Sequence, residues 1–130
     1  MISEDKIREV VAAYFAATRA MDREAWVSTF AEDAVSHEPV GGDPLKGHDA
    51  FRAFFDGITG AFEKVGLQEK EIYPAGNGAA VKFTGHGTGK NGREVTFHGI
   101  DVFEINEAGK IQTVWAYWNP AAMMADLMGQ

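Results

Sequence analysis

The period of apolar residues changes near Gly66, and that change constrains the fold more than any other feature. From there the chain reads as strands separated by turn signals: Gly66 to Tyr73, Ala79 to Gly87, Val95 to Ile105 and Lys110 to Trp118. Within Ala79 to Gly87, Val81 and Phe83 fall on one face and Lys82 and Thr84 on the other, the two-residue period of a half-buried strand. Pro74-Ala75-Gly76-Asn77-Gly78, Lys90-Asn91-Gly92-Arg93 and Asn106-Glu107-Ala108-Gly109 are the intervening turns, and the Asn91-Gly92 pair marks a tight hairpin. Strands joined by turns this short pair antiparallel.

The first half follows a helical period. Ser3 can cap a helix running to about Ala20, with Ile7, Val10, Val11, Tyr14 and Thr18 on one face. Asp22 is placed to cap a second, shorter helix with Trp26, Thr29 and Phe30 turned inward. A third starts near Gly47 or His48 and carries Phe51, Phe54, Phe55, Ile58 and Phe62 inward. Between the second and third lies a strand-like run, Ala34 to Glu38, ended by Pro39 and the Gly41-Gly42-Asp43-Pro44 loop. The Met-rich tail from Ala121 to Gln130 reads as a short closing helix. The order predicts an α+β domain spanning residues 1–130. Three N-terminal helices pack on one face of a curved, mostly antiparallel, cone-like sheet, with an apolar pocket between the layers.

Composition narrows the function classes. The chain has 130 residues, 45% hydrophobic and 12% aromatic, enough to bury a core. It has no cysteine, so thiol nucleophiles, disulfides and cysteine-ligated metals are excluded. The formal charge of −7 disfavours nucleic acid and anionic membranes as partners. No leader or membrane-spanning run is read in the sequence, and the expected setting is the cytoplasm. His37, His48, His86 and His98 show no metal-ligand spacing, and no P-loop pattern follows Gly41-Gly42. His37 should point to the strand face opposite Glu38, and His86 and His98 can pair across the hairpin.

Three polar residues stand out against this apolar pattern. Asp101 shares its strand face with Phe97, Gly99, Phe103 and Ile105, where desolvation raises a carboxyl pKa and favours the neutral acid. Glu38 ends a strand beside a rigid loop, a position from which a functional group enters a cleft. Tyr14 lies on the apolar face of the first helix, and a buried phenol needs a hydrogen-bond partner. Each has a plainer reading. Tyr14 can reach the surface, Glu38 can be a solvated strand-end acid, and Asp101 can pair with Lys82 or Arg93 across the sheet.

Taken together, these residues resemble the ketosteroid isomerases within the NTF2-like, or SnoaL-like, superfamily. The similarity is carried by Glu38-Pro39-Val40-Gly41-Gly42-Asp43-Pro44, with Ala31-Glu32-Asp33-Ala34 before it. Further along, Ile100-Asp101-Val102-Phe103, Ala108-Gly109-Lys110-Ile111 and Trp115-Ala116-Tyr117-Trp118-Asn119-Pro120 also fit. The resemblance implies Glu38 as general base, Tyr14 as oxyanion tyrosine and Asp101 as an acid held neutral to donate a hydrogen bond. It implies a cofactor-free, metal-free shift of a double bond in a steroid-like 3-oxo ketone. A polyketide cyclase, an epoxide hydrolase or a small-ligand binding module on the same fold are the alternatives. The expected pocket walls are Val10, Phe30, Phe54, Phe55, Phe83, Phe103, Val114, Ala116 and Trp118. The resemblance also implies a homodimer through the outer sheet face; Trp115 and Tyr117 alternate away from Trp118 and are candidates for that interface. Two positions depart from the family: Glu38 stands where Asp is usual, and Phe55 where a supporting Tyr is usual.

Overall fold

The computed structural model describes residues 2–130. Helix α1 (Glu4–Ala20) is capped by Ser3, whose hydroxyl accepts the Lys6 backbone N–H at 3.1 Å, and ends at Met21 in a left-handed conformation. Asp22 accepts the Ala25 N–H at 3.0 Å and starts α2 (Arg23–Ser28). Then follow β1 (Phe30–His37), β2 (Leu45–Lys46), α3 (His48–Thr59), β3 (Phe62–Ala75), β4 (Gly78–Gly89), β5 (Glu94–Ile105) and β6 (Ile111–Tyr117). Helix α4 (Pro120–Met128) closes the chain. Its cap is Asn119, which accepts the Ala122 N–H at 2.9 Å, and Pro120 opens its first turn. Proline has no N–H to continue a ladder and a φ suited to a first helical turn, so one dipeptide both ends a strand and begins a helix.

The strands form one curved, open sheet in the order β2-β1-β6-β5-β4-β3. The β3–β6 meander is antiparallel throughout, as its short turns require. The exception is β1 against β6, which run parallel, the intervening α3 and meander supplying the long crossover that a parallel pair needs. That pairing sets the Glu38 end of β1 beside the end of β6, where Trp118 follows.

Several boundaries differ from the sequence reading. Phe30 opens β1 rather than closing α2, and Glu38 is the first residue beyond β1 rather than its last. Phe62 does not belong to the stripe of α3. It starts β3, four residues before the expected Gly66, and is buried with Val65, Val95, Met123 and Leu127 in a small core beneath α4. His86 and His98 do not pair. Each sits opposite a threonine, His86 by Thr96 and His98 by Thr84, with ring-nitrogen to hydroxyl distances of 3.2 and 3.3 Å. His37 lies flat on Trp115, its ring 6.0 Å away.

The main core joins α1, through Ile7, Val11, Tyr14 and Phe15, to Val81, Phe83, Phe103 and Ile105 of the sheet. Two glycines allow close approaches, Gly66 between sheet and helix and Gly99 within the sheet. A Cβ on Gly66 would lie 2.7 Å from the Arg19 Cα at the end of α1. One on Gly99 would lie 2.7 Å from the Phe83 ring and 2.8 Å from Trp118 Cβ. No helix among the described residues is long and apolar enough to cross a membrane, and none of their His, Asp and Glu residues cluster as metal ligands.

Candidate active site

Between the helices and the inner sheet face lies a cavity of about 590 Å³, its open mouth included. Tyr14, Glu38 and Asp101 all line it, brought there by α1, by the segment that follows β1 and by β5. The rest of the wall is almost wholly apolar: Trp26, Phe54, Phe55, Ile58, Val65, Leu67, Phe83, Phe97 and Trp118, with Thr18, Thr59 and Gly66.

Asp101 sits mid-strand in β5, in register with Val81 of β4 and Ala116 of β6. It is 2% exposed, and its Oδ2 has no hydrogen-bond partner. The ion pair with Lys82 or Arg93 does not form. Lys82 lies opposite Ile100, one residue out of phase with Asp101, and the Arg93 guanidinium donates to the Asp126 carbonyl in α4. Burial, and then the neighbouring Glu38 carboxylate, push the Asp101 carboxyl well above the ordinary aspartate range.

Glu38 is held differently. Its Oε2 accepts the Trp118 indole N–H at 2.9 Å, and Phe97 stacks on that indole at 5.3 Å. The following loop is tied to the sheet by the Val40 N–H, which donates to the Ala116 carbonyl at 2.9 Å. The Glu38–Pro39 bond is cis. Burial raises the Glu38 carboxyl to about 7, and the Trp118 hydrogen bond opposes that rise.

Tyr14 points inward from α1 and is 2% exposed. Its ring meets those of Phe15, Phe30 and Phe103 edge-on at 5.0, 5.9 and 5.0 Å. Burial, then Asp101, then Glu38 hold the phenol well above its usual pKa. The Trp26 indole beside it pulls the other way, yet its N–H makes no hydrogen bond of good geometry.

Of the residues expected on the wall, Phe54, Phe55, Phe83 and Trp118 line the cavity. Val10, Phe30, Phe103, Val114 and Ala116 do not. They are packed in the core behind Tyr14 and Asp101. Facing the cavity is a stricter condition than facing inward, and strand period reports only the second. Trp26, Phe97 and Ile58 were identifiable as inward-facing, but nothing local marked them as wall. The Trp118–Glu38 bond joins residues 80 positions apart and left no sequence signal.

Fold and site together describe a helix-covered curved sheet enclosing an acid-lined apolar cavity. The profile of the SnoaL-like domain family matches residues 11–114, and the chain belongs to that family. Its relatives include a steroid Δ-isomerase from Nocardioides simplex, 27% identical over 92% of this chain and 94% of that protein. Among solved structures, the epoxide hydrolase/cyclase-like enzyme SalBIII, described for its role in pyran ring formation in the polyether salinomycin, is 30% identical. It superposes with a TM-score of 0.81 over 92% of this chain and 95% of its own. A Mycobacterium tuberculosis protein solved with estradiol-17β-hemisuccinate is 25% identical, with a TM-score of 0.79 over 91% and 96% of the two chains.

Proposed function

We propose that the protein is a cofactor-free isomerase that moves a double bond within a steroid-like 3-oxo ketone. The observation that carries this reading is that Tyr14, Glu38 and Asp101 line one apolar cavity, two of them carboxyls in unequal environments. With its carboxyl near 7, Glu38 is partly ionised at neutral pH and removes a proton α to the ketone. Negative charge moves onto the carbonyl oxygen as a dienolate forms. Tyr14 and the protonated Asp101 donate hydrogen bonds to that oxygen, and burial favours the protonated form of each. Glu38 then returns the proton further along the conjugated system. The apolar wall suits a fused-ring hydrocarbon body. The steroid Δ-isomerase relative supports the reading, as does the steroid held by the Mycobacterium protein.

The test is conversion of a β,γ-unsaturated 3-ketosteroid, followed by the ultraviolet absorbance of the conjugated enone. Wild type is expected to raise it above the buffer rate. Folded protein without turnover from pH 5 to 9 ends the proposal.

A second reading has a specific observation behind it, the 30% identity to SalBIII. The same pair serves cyclisation: Glu38 takes a proton from an attacking hydroxyl while Asp101 delivers one to the opening ring or acceptor. Among the described residues no arginine lines the cavity, which argues against an epoxide hydrolase built on an Asp–Arg–Asp arrangement. Turnover of a hydroxy-epoxide but not of the ketosteroid would select this reading. A binding module without chemistry is selected if steroid ketones bind and neither substrate turns over. For assembly, we propose a homodimer through the outer sheet face, where Ile100 of β5 and Tyr117 of β6 lie side by side and exposed. Tyr117→Asp is expected to halve the mass measured by light scattering.

A further inference from the structure

One buried donor in the cavity has no partner. Trp26 is 3% exposed and lines the cavity, and its Nε1–H makes no hydrogen bond. An unpaired buried N–H is costly, so natural cores rarely keep one without a use. An indole nitrogen only donates, so that use requires an acceptor. The rings around Trp26 offer few. Phe30, Phe51, Phe54 and Phe55 surround it at centroid distances of 5.0, 6.1, 6.3 and 5.4 Å, and none carries an acceptor. The remaining ring neighbour is Tyr14 at 5.8 Å, tilted by 50°.

We propose that Trp26 is a positioning residue for the oxygen-binding end of the cavity: when Tyr14 gives its hydrogen bond to a ligand oxygen, the unpaired indole N–H donates to the Tyr14 phenolic oxygen and strengthens that hydroxyl as a donor. This rests on the reading of Tyr14 as an oxyanion donor. The phenol keeps its lone pairs when it gives its proton to a ligand. A second donor placed on those lone pairs polarises the O–H further as charge builds beyond it. The direction in which Trp26 acts on the Tyr14 phenol, against burial, agrees with a donor aimed at that oxygen. The flanking Phe30 and Phe55 leave no hydroxyl to take that part.

The probes are 2-naphthol and naphthalene, alike in shape and differing in one oxygen. Wild type is expected to prefer 2-naphthol. Trp26→Phe, which keeps an aromatic ring and removes the N–H, is expected to weaken 2-naphthol by about 5- to 10-fold and leave naphthalene unchanged. In a Tyr14→Phe background the same substitution is expected to cost nothing more, because the two residues act as one unit. An undiminished 2-naphthol preference in Trp26→Phe overturns the proposal. So do losses from the two substitutions that simply add. If wild type itself shows no preference for 2-naphthol, the Tyr14 reading falls and takes this one with it. A parallel measurement uses unaltered protein, so it decides even if the variant folds poorly. Of three indole N–H signals in a ¹⁵N spectrum, that of Trp26 is expected to move downfield on 2-naphthol binding, and a stationary signal overturns the proposal.

Discussion

The two carboxyls of the cavity sit in contrasting places. Asp101 is in the middle of a strand, with a strand on either side and no hydrogen bond to its Oδ2. Glu38 is just past a strand end, in a looped segment, with an indole donor on its carboxylate. Both are raised by burial. The difference is that the ionised form of Glu38 has a partner and that of Asp101 has none. Burial and a neighbouring carboxylate favour the neutral acid at Asp101, while burial opposed by one donor leaves Glu38 near 7. Position in the fold therefore gives two side chains that differ by a methylene the unequal environments that the proposed division into base and donor requires.

The strongest way to break this comparison is to neutralise Glu38. Glu38→Gln is expected to lower kcat for the ketosteroid by about 10²–10⁴-fold, the usual contribution of a general base, with KM little changed. Retention of most of the activity would show that the two acids are not divided as described. Asp101→Ala, which removes the donor, is expected to cost roughly 10²–10³-fold. Asp101→Asn sharpens the point. An amide still donates but does not ionise, so it should lose much less than the alanine, and equal losses would show that donation is not what Asp101 supplies.

The same two acids predict an unusual pH dependence of stability. Each carboxyl has a folded pKa above its unfolded value, so the unfolded chain gives up the proton first and stability falls as pH rises. For Glu38 the loss runs from about 4.5 to about 7; for Asp101 it begins near 3.8 and extends well above it. Glu38→Gln removes one of these penalties. It is expected to stabilise the fold by about 1–3 kcal/mol at pH 8 relative to wild type, and to differ little at pH 4. Urea unfolding at the two pH values reads this directly, and equal differences at both would show that Glu38 is not perturbed by folding.

How much of this was legible in the sequence depended on the range of the interaction. Ser3 and Asp22 bond within three residues, and Asn91-Gly92 turns within four, so caps and hairpin were readable. Asp101 was conspicuous because its strand neighbours are apolar on both sides. Long-range facts were not readable. The parallel seat of β1 against β6 depends on where a chain returns after some seventy residues, and period says nothing of that. For the same reason the sequence placed Phe30, Phe103, Val114 and Ala116 on the wall, when the core behind Tyr14 and Asp101 takes them. Phe62 was assigned to α3 by spacing alone. The chain turns at Gly60, and burial under α4 decides its place.

The smallest effect tests the donor that distinguishes the two acids. Trp118→Phe keeps an aromatic surface against Phe97 and removes the hydrogen bond to Glu38. That bond favours the carboxylate, so its loss should move the Glu38 pKa upward from about 7. The acidic limb of kcat/KM, which follows ionisation of the base, should then shift to higher pH. Activity would fall by about 3- to 10-fold at neutral pH, consistent with one hydrogen bond to a charged group, and recover toward wild type in alkali. A uniform loss at every pH would instead mean that the indole places the base or the substrate without tuning ionisation. An unshifted profile would place the source of the asymmetry elsewhere, in the solvent access that a strand end allows and a strand centre does not.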